Sequence, residues 1–295
     1  MHSTLRPLCV LVATCSLTSL VHSQSSWEVA TPFPDATVGR TEAVGVFHQG
    51  TLYALGGTPL RYENGIVTGE PERGAADYLP SGAPAWLQGK ELDTEWGRMG
   101  AGVDGLGRLI AFGPARSGDP SATQDAFIYD IVTGHEGDVG LPDKLLDFTN
   151  FAYAVDDAGR LYAIGGGPGS QSAVAAAGFA NTALVERYDA VADVWELLAP
   201  MPVARAGATA SFDGQGHILV FGGYDATGAA RTNTVYRYSI AGDSWSLVAS
   251  LPTEPGGDDR YSDQRAILGA DEQIWVLGGI NGSNSAAGTT IDSVS

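Results

Sequence analysis

The sequence predicts an all-β protein assembled from repeats of one four-stranded unit. Three observations predict it. An aliphatic run ending in glycine returns five times, as LYALGG, LIAFGP, LYAIGG, ILVFGG and IWVLGG, with its first glycine at Gly56, Gly113, Gly165, Gly222 and Gly278. The steps between these glycines are 57, 52, 57 and 56 residues, a period that belongs to repeat architectures. Tryptophan keeps step: Trp27, Trp86, Trp195 and Trp245 stand 29, 27, 27 and 33 residues ahead of Gly56, Gly113, Gly222 and Gly278. Finally, no long stretch of the chain carries a helical period of apolar residues.

Taken in order, the chain begins with an export signal. Met1–Ser23 carries Arg6, an apolar run from Leu8 to Val21 and small or apolar residues at Val21 and Ser23. That pattern predicts cleavage after Ser23, with a retained anchor as the alternative. The run is too short and too polar to span a bilayer stably. Residues 24–295 then form one repeat domain, with units near 40–90, 97–140, 149–199, 204–250 and 263–295, the last completed by 25–31.

Each unit reads as four short strands. The first is small and apolar: Glu42–Phe47, Gly100–Val103, Phe151–Val155, Gly207–Phe212 and Ala266–Ala270. A tight polar turn follows (HQGT, DGLGR, DDAGR, DGQGH, ADEQ), and such turns between apolar runs mark hairpins. The second strand is the aliphatic run. The third lies near Asp77–Leu79, Ala126–Tyr129, Leu184–Tyr188, Thr234–Tyr238 and Ile291–Val294, and the fourth bears the tryptophan. Tyr188 and Trp195, like Tyr238 and Trp245, are seven residues apart. The unit ending near Gly137 lacks its tryptophan, and Pro114 replaces a second glycine.

The Gly-Gly pairs, the Tyr/Trp spacing and MPVAR at 201–205 resemble the kelch-repeat family over nearly all of the mature length. The resemblance implies a kelch-type β-propeller, here of five four-stranded blades. SSWEVA after the signal reads as a fourth strand, so the N-terminal strand is expected to complete the last blade and close the ring. Closure removes unpaired sheet edges. A chain cut short from a larger ring is the alternative. The fold resembles the central domain of galactose-oxidase-like proteins, which use a Cys-linked tyrosine and paired histidines. Cys9 and Cys15 both lie in the signal. The mature chain therefore has neither that cofactor nor disulfides, and no cofactor or metal is expected.

Charge narrows the partners. The formal charge is −18, and loss of Arg6 makes it −19. Lys90 and Lys144 are the only lysines. Such a chain repels nucleic acid and anionic membranes. It suits a soluble secreted or periplasmic monomer.

Candidate sites follow from the blade pattern. GGGPGS at 165–170 imitates a phosphate loop, but the residues after it lead to another strand rather than to a helix N-terminus. The recurrent tryptophans read as packing between blades. His48, His135 and His217 sit at turns of different blades and are not spaced to share a metal. Arg40, Arg98, Arg205 and Arg265 precede or begin the first strand of four units, where they are expected to ring one channel mouth. Guanidinium forks bind carboxylates bidentately; the alternative is that these arginines belong to the repeat and bond neighbouring groups. Trp96 and Tyr261 are candidate stacking contacts. The long connections after the Gly pairs, and Thr253–Gln264, place binding on that same face. Asp258, Asp259 and Asp263 read as a solvated loop, with Ca²⁺ as the alternative. Asn281-Gly-Ser283 is a glycosylation sequon.

The expected function is a secreted binding module for an acidic glycan or protein partner. Two alternatives stay open. One is a sugar-acid mutarotase or epimerase using carboxylates such as Glu95 or Asp259, and the other is a structural adhesion domain. The signal is tested directly: N-terminal sequencing of exported protein should begin at Gln24, and a retained Met1 would refute cleavage.

Overall fold

The computed structural model describes residues 38–41, 43–63, 66–69, 76–92, 99–113, 126–130, 134–135, 141–145, 148–167, 181–226, 230–251, 261–262, 264–269, 271–277 and 280–281. Every regular element among them is a β-strand. No helix among the described residues is long and apolar enough to cross a membrane. The chain divides into two compact units, residues 1–97 with 131–134, and residues 98–130 with 135–295.

The first unit contains β1 (Val38–Thr41), β2 (Val44–His48), β3 (Thr51–Leu55), β4 (Thr58–Glu63), β5 (Ile66–Gly69), β6 (Ala76–Pro80) and β7 (Leu87–Gln88). Strands β2, β3, β6 and β7 form the expected four-stranded antiparallel sheet. A second, three-stranded sheet is an addition that the repeat pattern does not predict. It runs β1-β4-β5 and takes up much of what reads as the long connection Thr58–Ala76. Its sequence signal is Asn64-Gly65 between two strand-forming runs, a hairpin mark hidden inside a stretch that breaks the repeat.

The second unit continues with β8 (Gly100–Val103), β9 (Leu109–Phe112), β10 (Ala126–Asp130) and β11 (Gly134–His135), then β12 (Ala152–Val155), β13 (Leu161–Ile164), β14 (Val185–Asp189) and β15 (Val194–Leu198). Next come β16 (Thr209–Phe212), β17 (His217–Phe221), β18 (Thr234–Ser239) and β19 (Ser244–Ser250). The last are β20 (Tyr261–Ser262), β21 (Arg265–Leu268), β22 (Ile274–Leu277) and β23 (Ile280–Asn281). Strands β8–β11, β12–β15 and β16–β19 are three sheets in which each strand pairs with its neighbour in sequence. In the last repeat β21 pairs with β22, and β20 with β23. The expected strands at 25–31 and Ile291–Val294 lie outside the described residues. His135 is in the outer strand β11, not in the turn where the spacing placed it.

First strands lie side by side in the order β8, β12, β16, β21. Small residues make this approach possible. A Cβ on Gly102 would run into Val155 of the next sheet, and one on Gly100 into the ring of Phe112. The second strands explain why their sequences are apolar without alternation. All four residues of β13 are buried. Leu161 and Ala163 join Ile110, Phe112, Phe151 and Trp195 in one core, while Tyr162 and Ile164 join Ile218 and Val220 in another. Strand β17 splits in the same way, with Phe221 facing Ile274 and Val276 in a third core. A strand buried on both faces has no polar side.

The outer strands close each seam. Tyr188 faces Trp195 and Tyr238 faces Trp245 across the third and fourth strands, with ring centroids 5.4 and 5.0 Å apart. The indoles reach back to the preceding repeat: Trp195 Nε1 donates to the Pro142 carbonyl (3.0 Å) and Trp245 Nε1 to the Ala199 carbonyl (2.8 Å). Each tyrosine hydroxyl donates to an aspartate in the intervening turn, Asp193 at 2.8 Å and Asp243 at 2.7 Å. Both aspartates adopt left-handed backbone, φ 54° and 41°, which Asp tolerates better than most residues. The tryptophans are therefore packing elements, as their recurrence suggests.

The first hairpins carry a repeated carboxylate staple. Asp104 Oδ1 accepts the Leu106 and Arg108 amides, and Oδ2 accepts Arg108 Nε at 2.7 Å. Asp156 does the same with Ala158 and Arg160 and also accepts the Tyr162 hydroxyl at 2.9 Å. Asp213 repeats the turn with His217. Arg108 Nη2 also donates to Tyr188 Oη in the next sheet, at 3.1 Å.

One ion pair lies wholly inside a seam. Lys144 and Glu186 are 2% and 1% exposed, and Lys144 Nζ donates to Glu186 Oε1. The second oxygen accepts the Leu145 amide at 2.9 Å, and the ammonium lies 5.1 Å from the Phe151 ring centroid. Removing one partner strands a buried charge. Lys144→Met should therefore destabilise the protein by about 3–5 kcal/mol. The double variant Lys144→Met/Glu186→Gln should recover much of this, because glutamine can still accept the Leu145 amide. Urea unfolding measures both, and equal losses in the single and double variants would contradict the assignment.

The buried phenols set an alkaline limit. Burial first, then Asp193, pushes Tyr188 up to about 12. Burial pushes Tyr162 up to about 12 against the opposing bond from Arg187. Burial and Asp243 raise Tyr238 as well. A raised phenol favours the neutral form in the fold. Its stabilisation is complete below the ordinary value of about 10 and is lost as pH climbs through about 12. Phenolate absorbance and near-UV circular dichroism should change together above about pH 10. Phenolate formation at ordinary pKa with unchanged dichroism would refute this.

Candidate functional site

Strand register shows which expected site residues share a place. Thr209 pairs with Phe221, the residue before Gly222, and Arg205 lies four positions earlier. In the first repeat Val44 pairs with Leu55 before Gly56, and Arg40 again lies four earlier. In the last repeat it is Arg265 itself that pairs with Leu277 before Gly278, so Arg265 holds the Thr209 position and Tyr261 holds that of Arg205. Counting the same way from Gly100 and Ala152 gives Trp96 and Phe148. One repeat position thus carries Arg40, Trp96, Phe148, Arg205 and Tyr261. The four arginines singled out from the sequence do not share a register, and only Arg40 and Arg205 are equivalent. The pairing of first and second strands was needed to see this.

Arg40 sits in β1 opposite Pro59, with its side chain outside the description. Trp96 and Arg98 lie outside the described residues. Tyr261 is in β20 opposite Asn281, and its side chain is likewise outside the description. Arg265 is exposed at the start of β21, and its Nη1 donates to the Gln264 carbonyl at 3.0 Å. Arg205 is 6% exposed.

Arg205 is held from both sides. The Arg205 amide donates to the Thr182 carbonyl (3.0 Å), and the Arg205 carbonyl accepts the Gly166 amide (2.7 Å) of the preceding sheet. This docking explains the Gly165-Gly166 pair. Both have positive φ, 66° and 110°, and a Cβ on Gly165 would strike the Arg205 carbonyl oxygen. The Gly-Gly is thus architectural and anchors the arginine-bearing turn of its neighbour.

The Arg205 side chain finds neutral company. Its Nη2 donates to Thr234 Oγ1 at 2.5 Å, and the guanidinium lies 5.8 Å from the Tyr236 ring centroid. Among the described residues no carboxylate comes within ion-pairing distance of it. Burial lowers its pKa, opposed by Tyr236 and by the more distant charge of Asp225. A buried cation without a paired anion is costly.

Arg205 borders a pocket of about 420 Å³ lined by residues that include Val203, Ala204, Asp225, Arg231 and Thr232. One wall is the turn before β16, and the other is the connection after β17. Tyr224 joins the walls by bridging to Ala206 and to Arg231. Asn181 of the preceding sheet props up the far wall, since its Nδ2 donates to the Asp225 carbonyl at 2.5 Å. Arg231 stacks on Tyr224, 5.0 Å from its ring centroid, and its Nε donates to Tyr224 Oη (3.1 Å) and to Ser262 Oγ (3.0 Å). One repeat therefore lines the pocket and its two neighbours brace it, on the face that carries the long connections. Sequence reading found Arg205 but missed Arg231, Asp225 and Thr232, which look like ordinary loop residues.

Comparison with known proteins places a family name on this sheet. The kelch motif matches residues 204–252, which include all of the pocket lining except Val203 and all of β16–β19. No curated protein matches the chain. The antiparallel four-stranded sheets, with a kelch motif over the one that carries Arg205, support a kelch-type repeat fold of the β-propeller class.

Proposed function

We propose that the chain is a secreted interaction module whose long-connection face holds an acidic group of a glycan or protein partner. Kelch repeats build interaction modules, and the motif lies over the pocket-bearing sheet. The observation that carries the acidic ligand is Arg205, a buried arginine that lines a pocket and has no paired carboxylate among the described residues. A ligand carboxylate would supply the missing charge through a charge-assisted bond. Arg231 adds a second cation to the wall. Arg40, Arg98 and Arg265 are proposed as further cationic contacts, and Trp96 and Tyr261 as stacking contacts. The strongly negative chain keeps nucleic acid away and leaves these arginines as local exceptions to its charge.

Binding to arrays of acidic glycans and acidic peptides tests the reading. Arg205→Met should weaken the best hit by about 10- to 100-fold, the range for hydrogen bonds to charged groups. Asp225→Asn should tighten it, because it removes a like charge from the pocket wall. Opposite signs distinguish a lost site from a damaged fold. Wild-type protein that binds no acidic ligand, or hits that are indifferent to both substitutions, would overturn the proposal.

A further inference from the structure

The hydroxyls behind Arg205 form a chain whose direction can be worked out. Thr234 Oγ1 accepts Arg205 Nη2 at 2.5 Å and lies 3.0 Å from Thr232 Oγ1. Thr232 Oγ1 also accepts the Thr234 amide at 3.2 Å. Each threonine hydroxyl has one proton and two acceptor positions. The guanidinium is a donor only, so the Thr234 proton must point away from it. Thr232 Oγ1 is the hydroxyl partner shown for that proton. In this arrangement Thr232 accepts twice, from the Thr234 hydroxyl and from the Thr234 amide, and its own proton is left to be donated. Thr232 lines the pocket. The reverse arrangement would leave the Thr234 proton with no acceptor shown, in a partly buried place where an unmade bond is costly.

We infer that Arg205 polarises the Thr234–Thr232 hydroxyl pair so that Thr232 presents a hydrogen-bond donor to the pocket, making Thr232 a specificity-determining residue for a carboxylate ligand. This rests on the acidic-ligand reading above and adds a neutral hydroxyl donor to its guanidinium contacts. A carboxylate is acceptor-only when ionised and takes a guanidinium and a hydroxyl together. A neutral hydroxyl ligand gains less from the same donors, since charge-assisted bonds are roughly twice as strong. Val203, Ala204 and the alanines of the far wall leave room for a short apolar stem behind the carboxylate.

Two carboxylate probes separate the two sources of such a group. Methyl glucuronide stands for a glycan and glutarate for an acidic side chain, with methyl glucoside as the neutral control. Affinities are read by NMR titration of the full chain. For whichever carboxylate binds, Thr232→Val should weaken it by about 10-fold, as expected for one bond to a charged group. Thr232→Ser should restore it, and methyl glucoside should be unaffected throughout. Thr234→Val should weaken the carboxylate as well, because it removes the relay. If Arg205→Met abolishes binding while Thr232→Val leaves it unchanged, this inference falls and the acidic-ligand reading stands. If Thr232→Ser fails to rescue a well-folded protein, the hydroxyl is not the donor. If the wild-type chain binds neither carboxylate, both fall together.

Discussion

Burial of the second strand on both faces is the constraint from which the rest of the second unit follows. Strand β13 gives alternate residues to two different cores. Each sheet is therefore incomplete without the next one. The small first strands, the back-reaching indoles and the Gly-Gly turns all serve that close succession. Glycine in β8 lets the first strands approach. The tryptophans of β15 and β19 then seal their seams at the far end, with each indole proton given to the preceding repeat.

The pocket is a by-product of the same seam. Gly166 and Thr182 belong to one sheet and hold the backbone of Arg205 in the next. Asn181 holds the opposite wall, and Ser262 of the following repeat accepts a bond from Arg231. The site residues are thus fixed by elements that exist for packing reasons. Pre-organisation of this kind is what gives a loop-built site its geometry. It also accounts for a buried guanidinium being tolerated: the clamp acts on its backbone, independently of what its side chain meets.

Much of this was legible in the sequence because a repeat states each rule several times. The hairpin aspartates, the aliphatic second strands and the Tyr/Trp spacing each recur, and each proves to have one physical cause. Tyr188 and Trp195 are seven apart because they face each other across a tight turn. What was not legible is what occurs once. Lys144 and Glu186 are 42 residues apart, and nothing local to either announces the pair. The β1-β4-β5 sheet breaks the period that revealed everything else. The arginine set spans more than one repeat position for a related reason. Arg265 follows its neighbours in sequence pattern, yet its strand pairing puts it at the Thr209 position, and Tyr261 takes the place of Arg205. Thr232 and Thr234 gave no sign because their importance lies in the direction of two protons.

The two-sided second strand has a consequence for the nascent chain. A ribosome adds about 5–20 residues per second, so one repeat of 57 residues takes about 3–11 s to emerge at that pace. A hairpin closes in about 1–10 μs. Each sheet can therefore pair its strands long before its successor exists. For seconds it displays an apolar flank such as Tyr162 and Ile164 with nothing yet to cover it. The growing protein carries one unfinished sticky surface at a time, and that surface moves along the chain as synthesis proceeds.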